Sequence, residues 1–161
     1  EKKIERIIKI FSEENDKMII FDYPIILKKN KAIKQKKIKK IFKTYWDYIH
    51  PTSCISIRKN LAYKLLDSIY EDKFVNTWMD FRIHLYSKYI NNHFLAINEN
   101  LTYYRRHENS ATSKFTKISK NWWIRRNEAH DYFIYYAKKN NLEIKKNYDF
   151  LITKLLYQLI K

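Results

Sequence analysis

The chain has 161 residues, a length that suits one domain and is sufficient for a hydrophobic core. Hydrophobic residues make up 45% of it and its single cysteine excludes an internal disulfide, so the composition indicates a globular protein without disulfide stabilisation. The formal net charge of +16 favours an anionic partner: a nucleic acid, an acidic membrane surface or a phosphorylated ligand. That argument is weakened because the chain has no glycine and is rich in Lys, Asn, Ile and Tyr, a bias expected of an AT-rich coding genome.

Two further features bear on where the protein works. Cys54 lies in an apolar run, which predicts a small buried side chain. No apolar window approaches the length of a bilayer span, and no signal-peptide pattern opens the chain. We therefore expect a cytoplasmic protein. Because the chain begins at Glu1, without a methionine and already in a helical pattern, we also expect it to be part of a longer protein.

The first third of the chain alternates helical and strand patterns. Apolar residues at helical spacing from Ile4 to Phe11 predict an amphipathic helix, and the continuous run Met18–Phe21 predicts a strand buried on both faces. The predicted elements are a helix over 3–14, a strand over 18–21, two short strands over 25–27 and 32–33 around a turn, and a lysine-rich helix over 34–49.

The middle of the chain continues the alternation. A strand over 53–58 leads into a helix capped near Asn60, whose inward residues we expect to be Leu61, Leu65, Leu66 and Ile69. A helix over 77–90 and a strand over 93–97 follow. The turn-rich link 98–100 then leads into a strand over 101–106, a pattern typical of a hairpin.

The last third is helical. Residues 107–116 are polar and indicate a loop, and the periodicity from Ile118 to Ala137 predicts a long helix. Asn147 is the expected cap of a final helix. That helix has the most regular apolar stripe of the chain, made of Tyr148, Leu151, Ile152, Leu155, Leu156 and Leu159. The order of elements predicts an α/β fold followed by two helices.

Side chains that could take part in catalysis or ligand binding are concentrated between Pro51 and Ser110. A carboxylate, Asp80, lies in the first turn of a predicted helix. Thr52, Ser53 and Arg58 flank the strand over 53–58. The strand over 101–106 carries Arg105 and Arg106 and brings His107 to the start of a loop.

In this order, the parts resemble the C-terminal half of the GT-A fold of family-two glycosyltransferases. The matching pieces include the strand 18–23, Pro51-Thr52-Ser53 leading to Arg58, and the helix that starts near Trp78. The most specific piece is 101–110, similar to the Tyr-Arg-x-His-x-x-Asn/Ser pattern with which bacterial members often end their catalytic sheet. The resemblance covers roughly residues 1–115, the acceptor-side half of a GT-A domain, and leaves 116–161 as a C-terminal helical extension. It implies a Rossmann-like α/β fold with a small mixed sheet.

The resemblance also implies a chemistry. Asp80 would be the catalytic base of an inverting, sugar-nucleotide-dependent transfer, while Met79 stands where the family's Glu-Asp pair has its first carboxylate. His107 would be a metal ligand or a contact to the diphosphate. The other implied contacts to the acceptor or the diphosphate are Thr52, Ser53, Arg58, Trp78, Arg105 and Arg106. The alternatives are a capped turn for Thr52 and Ser53, a core position for Trp78, and surface positions for Arg58, Arg105, Arg106 and His107. An alternative for Asp80 is purely structural, because Thr77-x-x-Asp80 fits a variant of the helix capping box.

The implied partners are a nucleotide-sugar donor and a glycan or lipid-linked acceptor in bacterial surface polysaccharide or glycolipid synthesis. The donor-binding half, with its Asp-x-Asp motif for Mg or Mn, would precede Glu1, so we expect this fragment alone to be inactive and to bind no metal. We expect a cytoplasmic location, and the basic surface favours peripheral association with the inner face of the cytoplasmic membrane. The alternative is a basic module that binds nucleic acid or another protein. We expect no nucleic acid, because the aromatic residues fall on inward helical stripes.

Overall fold

The structure is a computed structural model that describes residues 2–28, 31–36, 44–105, 110 and 113–160. Within these residues the chain is an α/β protein with five α-helices and two three-stranded sheets, which confirms the predicted fold class at that level. The helices are α1 (Lys2–Glu13), α2 (Lys59–Ile69), α3 (Met79–Tyr86), α4 (Lys120–Lys139) and α5 (Tyr148–Ile160). The strands are β1 (Ile19–Phe21), β2 (Pro24–Lys28), β3 (Lys31–Lys34), β4 (Ile55–Ile57), β5 (Phe94–Ala96) and β6 (Thr102–Arg105).

The described residues form two compact units. The first unit comprises those within Glu1–Ile38, Tyr48–Tyr70 and Met79–Arg106, and it contains both sheets. The second unit comprises those within Lys39–Asp47, Glu71–Trp78 and His107–Lys161, and it contains α4 and α5. No helix in the described part of the chain is both long and apolar enough to cross a membrane.

The two sheets of the first unit are linked by a pair of chain segments that run side by side. β1 pairs parallel with β5, and β2 pairs parallel with β6. Between the two ladders, the backbone N–H of Ile97 donates to Phe21 at 2.9 Å and that of Tyr23 donates to Glu99 at 2.9 Å. Asp22 and Tyr23 therefore lie at an interruption of the parallel ladder, where both segments of the chain pass from one sheet to the other.

The predicted hairpin between β5 and β6 is wrong. The two strands belong to different sheets, in the orders β4-β1-β5 and β3-β2-β6. The link between them is tied to other strands, because the side-chain amide of Asn100 donates to the carbonyl oxygens of Gln35 at 2.8 Å and Tyr23 at 3.3 Å. A turn-rich link between two short strands is compatible with a hairpin, but partner choice is decided by contacts that are distant in sequence.

The core of the first unit lies on β1. All three residues of this strand are at most 1% exposed, as its continuous apolar run predicted. Ile7 and Ile10 of α1 pack against Ile20, which confirms an amphipathic helix at this position. α2 likewise buries Leu61, Leu65 and Ile69, but Leu66, expected to point inward, is 49% exposed.

Two other predicted elements differ from the structure. The helix over 34–49 is wrong where the structure describes it, because Lys34 ends β3 and residues 35–36 and 44–49 have no helical structure; residues 37–43 lie outside the described part. Tyr45 and Trp46 are nevertheless buried. The strand over 53–58 is shorter than predicted, since a 3₁₀ turn, Thr52–Cys54, precedes β4. Cys54 is fully buried, as predicted.

The helices of the second unit begin and end where local chemistry predicts. The hydroxyl of Ser119 accepts the N–H of Trp122 at 3.2 Å to cap α4, and the side-chain oxygen of Asn147 accepts the N–H of Phe150 at 2.9 Å to cap α5. α4 ends in a Schellman motif: Leu142 donates to Ala137 at 2.9 Å, and Asn141 takes a left-handed conformation with φ of 54°. Because the chain has no glycine, asparagine fills this position.

Candidate functional site

A buried polar cluster fills the interruption of the parallel ladder. The carboxylate of Asp22, directly after β1, has a side chain only 1% exposed. Its Oδ1 accepts the ammonium of Lys3 at 2.8 Å, and its Oδ2 accepts the hydroxyl of Thr102 at 2.7 Å. Lys3 also donates to the carbonyl oxygen of Ser53 at 2.7 Å and to the hydroxyl of Thr102 at 2.6 Å. An ammonium has three hydrogens, so these contacts use all of them.

This Lys3–Asp22–Thr102 cluster fixes the 3₁₀ turn before β4. A buried charge must be paired and hydrogen-bonded, and here the pairing recruits the backbone of Ser53. Thr52 and Ser53 are both exposed residues of this turn.

A pair of histidines lies next to this turn. The backbone N–H of His50 donates to Nε2 of His84 at 3.0 Å, and Nδ1 of His50 is 3.2 Å from the same nitrogen. Because Nε2 of His84 acts as an acceptor, the proton of that neutral ring is assigned to Nδ1. The ring of Phe21 lies 4.2 Å from the His84 ring and 5.2 Å from the His50 ring. Tyr23 and Tyr48 pack edge-on against His50.

The aromatic surroundings keep both histidines neutral. Burial lowers the pKa of His50 to about 4. Burial, followed by the proximity of His50 and Lys88, lowers the pKa of His84 to about 3. Nε2 of His50 is buried and has no hydrogen-bond partner among the residues that the structure describes. At neutral pH the pair is therefore an uncharged link between α3 and the segment before Pro51.

Asp80 lies on the same face of α3 as His84. The two residues are four apart in the helix, so their side chains project from one side, one turn from each other. Since His84 contacts His50, this is the side of α3 that meets the segment leading to Thr52 and Ser53. The carboxylate of Asp80 is half-buried and accepts the backbone N–H of Phe81 at 2.8 Å, a contact that also suits the start of a helix.

The other predicted site residues lie elsewhere. Arg58 donates to the carbonyl oxygens of Lys17 at 2.7 Å and of Phe11, and its guanidinium lies 4.5 Å from the Phe11 ring centre. Its contacts therefore hold the end of α1 to the start of α2. Arg105 is exposed near the end of β6. Trp78 belongs to the second unit, where the guanidinium of Arg125 lies 3.7 Å from its ring centre.

Part of the predicted site falls where nothing is described. Arg106 and His107 lie outside the described residues. Among those that are described, no group of three or more His, Cys, Asp or Glu side chains is placed to hold a metal ion.

Sequence reasoning missed the residues that organise this region. Lys3, Asp22 and Thr102 were not singled out, although a carboxylate directly after a wholly apolar strand indicates a buried charge that needs a partner. The pairing of His50 with His84 had no local signal, because the two residues are 34 positions apart.

Comparisons with known proteins do not add to this geometry. No family model matches the chain, and neither a curated protein nor a solved structure matches it. The resemblance to family-two glycosyltransferases therefore stays a prediction from the sequence.

Proposed function

We propose that this chain is the acceptor-side part of an inverting, sugar-nucleotide-dependent glycosyltransferase with a GT-A-like fold. The observation that carries the proposal is the placement of Asp80. Its carboxylate lies one helical turn from His84. Nε2 of His84 accepts a hydrogen bond from the backbone of His50, in the segment that leads to the exposed residues Thr52 and Ser53. A carboxylate on the helix face that meets a segment leading to two hydroxyl-bearing residues suits the binding and deprotonation of a sugar hydroxyl.

In the proposed reaction, Asp80 takes the proton of an acceptor hydroxyl as that oxygen attacks the anomeric carbon of the donor. The bond from the anomeric carbon to the diphosphate breaks with inversion, and the nucleoside diphosphate leaves with the bonding electron pair. The donor would be bound by a half of the parent protein that precedes this chain. Arg105, exposed near the end of β6, is available for the phosphate oxygens.

The neutral histidine pair supports this role. A protonated imidazole beside Asp80 would stabilise its carboxylate and weaken it as a base. Burial instead keeps His84 uncharged, so the ring positions α3 without adding a positive charge. His50 and His84 are therefore positioning residues in the proposal, and Asp80 is its catalytic residue.

The product class remains as expected from the resemblance: a bacterial surface polysaccharide or a glycolipid, with a glycan or lipid-linked acceptor. Such acceptors sit at the cytoplasmic leaflet, and the net charge of +16 suits a position near anionic lipid.

The test is Asp80→Asn in the parent protein that includes the donor-binding half. We expect kcat for sugar transfer to fall by at least about a hundredfold, the usual contribution of a positioned base. The donor KM should change by no more than about twofold, because Asp80 does not contact the donor phosphates in this mechanism. Transfer would be measured as the release of the nucleoside diphosphate.

Asp67→Asn is the matched control, since it makes the same change to an exposed carboxylate on α2. It should leave kcat unchanged. Normal transfer by Asp80→Asn would refute the proposal and reduce Asp80 to a residue that stabilises the start of α3.

A further inference from the structure

The last helix, α5, turns a largely polar side toward α4 and an apolar side outward, the reverse of an ordinary amphipathic helix. Its inner side, toward α4, is held largely by polar contacts: Arg126 of α4 pairs with Asp149 and donates to the hydroxyl of Thr153 at 3.2 Å. Lys154 pairs with Asp131 of α4. Phe150 adds a buried ring to this seam. Polar contacts thus occupy the side on which a surface helix normally places its apolar residues.

The opposite side of α5 is apolar and exposed. We name it the outer face of α5; its residues are 51–83% exposed and are Tyr148, Leu151, Ile152, Leu155 and Leu159. They recur at i, i+3, i+4, i+7 and i+11, so they form one continuous stripe. The remaining exposed residue of the helix is Gln158, so the exposed side carries no charged residue. Contiguous exposed apolar stripes mark surfaces that bind something.

Positive charge lies at the N-terminal end of α5. Lys145 and Lys146 are exposed immediately before α5. Glu143 lies 3.8 Å from Lys145 and offsets part of that charge, while Lys146 has no acidic partner among the described side chains. The whole chain is strongly cationic, with a net charge of +16. An apolar stripe with lysines next to it can bind an anionic membrane surface, because apolar burial and electrostatic attraction both contribute to such binding.

We propose that the outer face of α5 binds the surface of an anionic lipid bilayer. At 13 residues, about 20 Å, the helix is too short to span a bilayer and would lie in its plane. The aliphatic side chains enter the boundary between headgroups and acyl chains, Tyr148 sits at headgroup depth, and the lysines contact lipid phosphates. The inference does not rest on the proposed transferase activity.

Charge favours lipid over a second copy of the chain. Two copies meeting face to face would bring together two proteins that each carry a charge of +16, and their lysines would flank the same contact. An anionic bilayer attracts the same lysines. It also accepts a stripe without requiring a shape-complementary partner.

The test is flotation of the full chain with vesicles of phosphatidylcholine alone and of phosphatidylcholine mixed with phosphatidylglycerol. We expect the protein to float with the mixed vesicles and to remain unbound with the neutral ones at moderate salt. Leu155→Glu should lower the partition coefficient at least about tenfold, since it replaces an inserted apolar side chain by a charge. Replacing Lys145 and Lys146 by Gln should lower it by about fivefold for each lysine.

Ile8→Glu is the matched control, because it adds the same charge at a residue of α1 that is 63% exposed, compared with 59% for Leu155. It should lower binding by less than about threefold. Circular dichroism would verify that Leu155→Glu is folded, and Leu159→Glu would replace it if it were not.

Three outcomes would overturn the inference. The first is that the protein does not bind anionic vesicles. This outcome would overturn the inference even if the outer face of α5 bound an acidic protein. The second is equal loss of binding in Leu155→Glu and Ile8→Glu. The third is a dimer in sedimentation equilibrium that Leu155→Glu dissociates while vesicle binding is unchanged, which would make the face an interface between copies.

Discussion

Nε2 of His84 accepts the backbone N–H of His50 at 3.0 Å, so a neutral imidazole joins α3 to the chain segment before Pro51. Protonation of that nitrogen would set one N–H against another and would place a charge beside the ring of Phe21. The link between the two elements therefore depends on pH, which leads to the first prediction.

The free energy of unfolding should fall as pH drops from about 7 to about 5. The pKa of His50 is lowered to about 4 and that of His84 to about 3, whereas histidines in an unfolded chain titrate near 6.5. Below 6.5 the unfolded chain therefore binds protons that the folded chain does not, and stability is lost. We expect a loss of about 2 kcal/mol per histidine over these two pH units, measured by urea denaturation. Burial lowers the pKa of His130 in the second unit, which adds a contribution of the same sign.

The variant His84→Gln distinguishes the contribution of the His50–His84 pair to the pH dependence of stability from that of other titratable groups. Glutamine can accept the His50 N–H but does not titrate, so the loss of stability between pH 7 and 5 should shrink by about 2 kcal/mol. His93→Gln makes the same substitution at a side chain that is 57% exposed, away from the pair, and should reduce the pH dependence by less than His84→Gln does. An identical pH dependence in both variants would contradict the proposed role of His84.

Lys3→Met should destabilise the first unit by about 3–5 kcal/mol, because it leaves the carboxylate of Asp22 buried without its countercharge. Lys2→Met, at an exposed neighbouring position, should cost less than about 0.5 kcal/mol. Equilibrium denaturation at neutral pH measures both. Similar losses in the two variants would show that the cluster contributes little to stability.

Glu128→Ala should destabilise the second unit by about 3 kcal/mol. The carboxylate of Glu128 in α4 accepts the side-chain amide of Asn76 at 2.8 Å and the hydroxyl of Thr77 at 3.0 Å, and it also accepts the backbone N–H of Asn76. Removal of a charged acceptor of several hydrogen bonds costs more than removal of a neutral one. Hydrogen exchange at the Asn76 amide should accelerate. Glu143→Ala, at a side chain 82% exposed, is the control and should leave that exchange rate unchanged.

Nucleic acid should bind only weakly to the folded chain. Many of its aromatic side chains are engaged with neighbours: Tyr45 stacks on Phe133 at 4.4 Å and packs against His130, so these rings are not available to stack on bases. At physiological salt we expect a dissociation constant no tighter than about 10⁻⁶ M for single-stranded RNA or DNA, the nonspecific range. Fluorescence anisotropy over a salt series measures it. Tighter binding with a steep salt dependence would favour the alternative function.

Local features of the sequence were sufficient for much of the secondary structure. The cap at Asn147 and the apolar run of β1 act within a few residues of themselves, so they operate in any tertiary context. The buried state of Cys54 also followed from its apolar surroundings. Of the candidate site, the sequence named Asp80, Thr52 and Ser53 but not the contacts that position them.

Hydrophobic periodicity was not sufficient where the structure depends on which element a segment packs against. The spacing of Tyr45 and Trp46 suggested a helix, but both rings are buried in an irregular segment. The stripe of α5 was visible in the sequence, yet a stripe carries no information about which side of the helix will meet its neighbour. In the structure, ion pairs to Arg126 and Asp131 turn the other side of α5 toward α4.

By itself, the sequence determined the α/β class, the cap of the last helix and the buried first strand, because these depend on hydrogen bonds and apolar spacing between near neighbours. Only the tertiary structure decided that β5 joins β1 while β6 joins β2, that Lys3 meets Asp22, and that His84 meets His50. Each of these pairs is separated by many residues. Their contact depends on how the whole chain buries its apolar surface and pairs its buried polar groups, which no local pattern encodes.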